Sequence, residues 1–125
     1  MKIDVTQVLK DRKGVAIQIM DKDGKAVEAD QGGGPITLRY AACQALENVI
    51  PGDGENMKGP QKMKHFILSE RIETNDVVDL SAKDVTILTD RIGRAWGTVV
   101  AGRALMLLDP DLREDVPAAQ AEPAA

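Results

Sequence analysis

The chain has 125 residues and a formal net charge of −4. Only 2% of it is aromatic, with one Trp, one Tyr, one Phe, one His and one Cys. That length is about one domain, which buries roughly two-thirds of the surface its unfolded form exposes and needs no metal or disulfide to hold it together. The lone Cys43 excludes an intrachain disulfide, and one His with one Cys falls short of the four N or S ligands of a structural zinc site.

The acidic excess is local: residues 109–125 carry five acidic side chains and one basic one, whereas the preceding residues are nearly balanced. A nearly neutral body lacks the basic footprint that displaces counterions from nucleic acid, so no nucleic-acid partner is expected. Residues 1–5 lack the apolar core of a signal peptide, and no run approaches the ~20 apolar residues that cross a bilayer. With its unpaired cysteine, the chain is expected to be soluble and cytoplasmic, with no membrane partner.

In chain order, Ile3, Val5 and then Val8-Leu9 suggest a short strand, and Val15 to Met20 is a better one, rich in β-branched residues. Asp23-Gly24 comes next, and its turn chemistry predicts that residues 15–20 pair with a return strand over 25–29 as a hairpin. The acidic run from Asp21 superficially resembles a calcium loop. Ala26 and Gly32, however, occupy the sixth and twelfth positions, where that loop needs Gly and Glu. Gly32-Gly33-Gly34-Pro35 then reads as a flexible linker; it lacks the Gly-Lys-Ser/Thr ending of a phosphate loop, and Pro35 has no amide to donate.

Helical patterning takes over at Thr37, a candidate cap for a helix over residues 38–50 with Leu38, Ala41, Ala42, Ala45, Leu46 and Val49 on its apolar positions. A loop over residues 51–59 leads to Pro60, suited to the first turn of a helix over 60–74 on which Met63, Phe66 and Ile67 share one face. Ser81 and Asp84 form a short version of a capping box, and Leu80 with Val85 has the spacing of a hydrophobic staple. A helix over 82–96 should therefore begin there, burying Val85, Leu88, Ile92, Ala95, Trp96 and Val99. Gly97-Thr98 offers a break before a last helix over 98–108, the alternative being one bent helix over 82–108. Residues 110–125, rich in Ala and Pro and without an apolar period, predict a disordered acidic tail. The expected fold is α+β in a single domain over residues 1–109: an N-terminal β-hairpin or small antiparallel sheet within 1–30, followed by a bundle of three to four helices.

Chemistry is sparse. Cys43 and His65 would make a nucleophile and base only if the fold brought them together, and Cys43 sits among alanines where a small buried side chain is the ordinary role. Lys62, Lys64, His65 and Arg71, or Arg91, Arg94 and Arg103, are interspersed with Glu70, Glu73, Asp84 and Asp90, as on a solvated helix face. A helix-turn-helix around Gly93 is excluded by the segment after it, Thr98-Val99-Val100-Ala101, too apolar for a recognition helix. Gly93, Gly97 and Ala101, spaced four apart, suggest a small-residue groove, matched internally by Ala41, Ala42 and Ala45. If Trp96 is not core, then Arg94 and Trp96 with Gly93 and Gly97 are the candidate protein-interaction residues. No catalytic residue, metal or cofactor is expected.

The order of Lys2 to Leu9, a hairpin, the Ile36-Thr37-Leu38-Arg39 helix entry, and Val78 to Asp84 leading into Arg91-Ile92-Gly93-Arg94-Ala95-Trp96 resembles a set of small accessory proteins of temperate bacteriophages and prophages. The resemblance covers about residues 1–108 and consists of pattern and order. It implies a bacterial or phage origin and a non-enzymatic role in virion morphogenesis, similar to that of tail assembly chaperones. Partners are then other phage or host proteins or a second copy of the chain, in the bacterial cytoplasm or on the virion. The alternative is a small regulator that contacts host machinery or DNA, suggested by the scattered arginines.

Overall fold

A computed structural model describes residues 1–50, 53 and 57–110. In order these form β1 (Lys2–Asp4), a 3-10 turn (Ala29–Gln31), α1 (Leu38–Glu47), α2 (Gly59–Thr74), β2 (Val77–Asp79), α3 (Ala82–Ala95) and α4 (Thr98–Leu108). The fold is α+β, a small antiparallel sheet with four helices. The acidic tail expected over 110–125 lies, beyond Pro110, outside the described residues, as does most of the 51–59 loop.

The partner of the N-terminal strand is not a neighbouring hairpin. β1 pairs antiparallel with β2, Ile3 opposite Val78, so that these two apolar residues turn to the core while their neighbours face water. Bonds from Val5 N to Asp76 O (2.9 Å) and from Leu80 N to Met1 O (2.7 Å) extend the pairing at both ends.

Residues 15–29 do not form the expected two-stranded ladder, and the reason lies in how residue 17 divides its bonds. Ile17 donates to Leu9 O (2.9 Å), Ile36 donates to Ile17 O (2.7 Å), and Leu9 donates to Ile36 O (2.8 Å), a closed triangle of three extended segments. Each segment thus serves two neighbours at one point, leaving only single bridges such as Met20 with Ala26. The turn below it is present, but with five residues: Asp21 N donates to Lys25 O, while Asp21 Oδ1 accepts from the amides of Asp23 and Lys25. Asp11 to Val15 repeats that turn bond for bond ten residues earlier. Gly14 and Gly24 supply its one left-handed position, which the side-chain cap makes sufficient.

The triple glycine is a packed corner, not a free linker. Gly33 N donates to Glu28 O (2.9 Å), and a Cβ at Gly33 would overlap the Val27 carbonyl. Only glycine lets the chain pass that closely before entering α1.

α1 is the central helix, capped by Thr37 Oγ1 accepting from Tyr40 N (3.1 Å), and it ends at Glu47 because Asn48 is already extended. Its Ala41, Ala42 and Ala45 are buried and let α2 and α3 lie close on either side. Leu68 and Ile72 of α2, Leu88 and Ile92 of α3, Ala104 and Leu108 of α4, and Leu9, Ile36 and Leu38 complete the core.

α3 has the full capping box: Asp84 N donates to Ser81 Oγ (3.1 Å) and Ser81 N to Asp84 Oδ2 (3.0 Å). Its buried stripe is narrower than the periodicity predicts. Leu88 and Ile92 are fully buried, Val85 and Trp96 are half-buried, Ala95 and Val99 are exposed, and Arg91 is buried instead. Trp96 is extended, so α3 and α4 are two helices with Gly97 between them. Among the described residues no helix is long and apolar enough to cross a membrane.

Two substitutions separate these local devices in urea unfolding. Ser81→Ala should lower stability by about 1 kcal/mol through loss of the cap, and Gly33→Ala by roughly 1–3 kcal/mol through overpacking against backbone. A Gly33→Ala variant as stable as the parent would show that the corner is not close-packed.

Candidate functional site

A buried ionic knot lies under the C-terminal end of α1. Arg91, 3% exposed, places Nη1 2.7 Å from both carboxylate oxygens of Asp53, itself 4% exposed at the side chain. The same guanidinium donates through Nε to Ala45 O (2.9 Å) and through Nη2 to Asn48 O (2.7 Å). It therefore satisfies carbonyls that the end of α1 leaves without partners. Asp53 accepts in addition from Ile50 N (2.8 Å) and from Arg94 Nη2. These bonds, those of Arg91 foremost, hold the Asp53 carboxyl down at about 2 against the opposing effect of burial.

Arg94, a candidate for protein contact on sequence grounds, is thus partly committed to this knot and to Asp90. Trp96 is committed too: its Nε1 donates to Ala41 O (3.0 Å), and its ring lies tilted on Tyr40 with centroids 6.0 Å apart. Gly93 and Gly97 face open space, with nothing within 4 Å of where a Cβ would stand, so no internal groove accounts for them. Arg94 and Trp96 do share a shallow groove of about 240 Å³ with Gln44, Asn48, Val49 and Ile50.

The surface that sequence reasoning missed is on α2. Met63, Phe66 and Ile67, expected to share one face, are 58%, 58% and 51% exposed, while His65, Leu68, Ser69 and Ile72 face the core. α2 carries two apolar stripes, and only Leu68 and Ile72 can meet the alanines of α1. The signal is present in the sequence: apolar residues at 63, 66, 67, 68 and 72 span too wide an arc for one buried face. Beside Phe66 lies a cleft of about 370 Å³ whose walls include Leu46, Val49, Met57, Lys62 and His65. Exposed Val49 borders both this cleft and the Trp96 groove, joining them into one partly apolar surface.

The chemical candidates are held apart. Cys43 Sγ is directed at Ser69 O (3.6 Å) and Glu73 Oε2 (3.7 Å), not at His65. Burial, reinforced by the Glu73 and Glu47 charges, pushes its thiol up to about 12. His65 is buried with Nδ1 unpartnered among the described residues; burial, with the Arg91 charge, lowers its pKa and keeps it neutral. Among the described residues no three His, Cys, Asp or Glu side chains converge as a metal-binding group. No protein-family model, curated protein or solved structure matches this chain.

The knot fixes the acid limb of stability. Asp53, with a folded value of about 2 against 3.8, contributes roughly 2 kcal/mol that is complete above pH ~5 and is lost as pH falls from there towards 2. Neutral His65 contributes above its unfolded value and loses that contribution as pH falls below about 6.5. Urea titrations should therefore show two acid losses. Asp53→Asn should shrink the lower one, leaving the part supplied by other carboxyls held below their ordinary range, such as Asp84 bonded to Ser81 and Arg71, and His65→Gln should remove the upper one. Arg91→Met should cost about 3–5 kcal/mol, because it takes the main partner from a buried carboxylate and the donor from Ala45 O and Asn48 O. Unchanged acid limbs in Asp53→Asn would remove the ionised knot as the cause.

Proposed function

We propose that the protein is a non-enzymatic accessory protein of phage or prophage type that works by binding other proteins, with virion assembly, and tail assembly in particular, as its setting. The observation that carries the binding mode is the second apolar stripe of α2, where Met63, Phe66 and Ile67 face solvent beside the cleft at Val49. Contiguous exposed apolar surface rimmed by charge, here Lys62, Lys64 and Glu70, is what a protein-binding face presents. The biological setting rests on the resemblance of residue order across positions 1–108. Action in the cytoplasm of a bacterial host, with association to the virion, belongs to the same proposal.

The alternative of a regulator that contacts DNA or host machinery draws on the arginines, and five of the seven are engaged within the molecule. Arg39 donates to Ile72 O and Asn75 O, Arg71 to Asp79 O, Arg91 to Ala45 O and Asn48 O, and Arg103 to Lys10 O and Asp11 O. Arg94 is paired with Asp53 and Asp90. These side chains are internal staples.

The test is co-expression with candidate phage tail proteins, comparing the parent with Phe66→Asp. Phe66 is exposed, so the variant should unfold at the parent's urea midpoint while its complex weakens by at least ~30-fold, as expected for an aromatic anchor. Equal complex formation and equal particle yield from both proteins would overturn the proposal. A DNA mobility shift at physiological ionic strength would favour the regulator.

A further inference from the structure

We infer that the exposed face of α2 pairs with the same face of a second copy, the two helices running antiparallel about a two-fold axis near Phe66. The inference rests on the reading of α2 as a protein-binding face and names its occupant.

Charge decides the occupant and the direction. Outside its buried stripe, the N-terminal half of α2 presents Lys62 and Lys64, preceded by Lys58, and the C-terminal half presents Glu70, with Glu73 exposed but turned towards Cys43. Arg71, the basic residue that breaks this division, is turned to Asp84 and the Asp79 carbonyl within the molecule. Among the described residues Lys62 and Glu70 have no ion-pair partner. The helix is therefore basic at one end, acidic at the other and apolar between. A parallel copy would set like charges together; an antiparallel copy sets unlike charges together and also opposes the helix dipoles.

The register comes from spacing. Lys62, Phe66 and Glu70 are successive members of one i, i+4, i+8 row, so Lys62 and Glu70 stand one turn, about 6 Å, to either side of Phe66. A two-fold axis at Phe66 exchanges those positions. It brings Lys62 towards Glu70 of the partner subunit and Glu70 towards Lys62 of the partner subunit, with Met63, Phe66 and Ile67 of both chains between them. A self-complementary patch of this kind is what an isologous interface requires. Contact through one 16-residue helix falls at or below the low end of the ~1,200–2,000 Å² of stable interfaces, so the dimer should be weak, with a Kd of ~10–100 µM.

Sedimentation equilibrium of the full chain from micromolar to millimolar concentration tests this directly. The parent should pass from monomer to dimer. Lys62→Glu and Glu70→Lys should each weaken association by about 10-fold, since symmetry applies every charge reversal twice, and the Lys62→Glu/Glu70→Lys double variant should recover it. In Phe66→Cys, diamide should link two chains through residue 66, while parent protein, whose Cys43 is buried, should not be linked. A parent that stays monomeric to millimolar concentration, a double variant no better than the singles, or a dimer indifferent to Phe66→Asp would each overturn the inference. If instead the monomer still loses its tail-protein complex on Phe66→Asp, the binding face stands and only its occupant is wrong.

Discussion

The bidentate pair between Arg91 and Asp53 is the constraint around which the helical part is arranged. A buried guanidinium is tolerated only if its donors are occupied, and here they reach one carboxylate and two main-chain carbonyls at the end of α1. The consequence is positional. The chain must leave α1 at Asn48 and return Asp53 to α3, which also sets where Val49 emerges at the surface and where the cleft beside Phe66 opens. The apolar surface is thus fixed by a polar device beneath it.

The same solution recurs at the other joints. Arg39 closes the C-terminal end of α2, Arg71 joins α2 to the start of α3, and Arg103 reaches from α4 to the first of the twin aspartate turns. A planar, permanently charged fork can donate to several carbonyls at once, which a lysine at the same place cannot reproduce. In a chain with so few aromatics, these staples take over a role that large side chains perform elsewhere, joining segments through directed bonds where apolar area is modest.

Local features are the most legible in the sequence. The Ser81/Asp84 box, the Thr37 cap, the break at Gly97 and the aspartate turn at 21–25 each depend on residues within a few positions of one another, and their chemistry is written in those residues. Features that depend on distant partners are not legible. Val77 to Asp79 is too short to announce itself as a strand, and its partner lies at the other end of the described chain. Arg91 carries the period of a core position and the chemistry of a surface one; only the presence of Asp53 beside it resolves the conflict. The face of α2 misleads because two stripes on one helix look, to periodicity, like one broad one.

The pairing of β1 with β2 has a consequence for how the chain is made. Synthesis delivers Lys2–Asp4 before α1 and α2 and Val77–Asp79 after them, so β1 leaves the ribosome with its edge open and must wait through about seventy residues for its partner. Arg103, contacting Lys10 and Asp11, closes the last long-range bond later still. The segment around β1 is in that sense completed late, although it is translated before the helices it packs with. Its early exposure is softened by Lys2 and Asp4, charges on an otherwise unprotected strand edge.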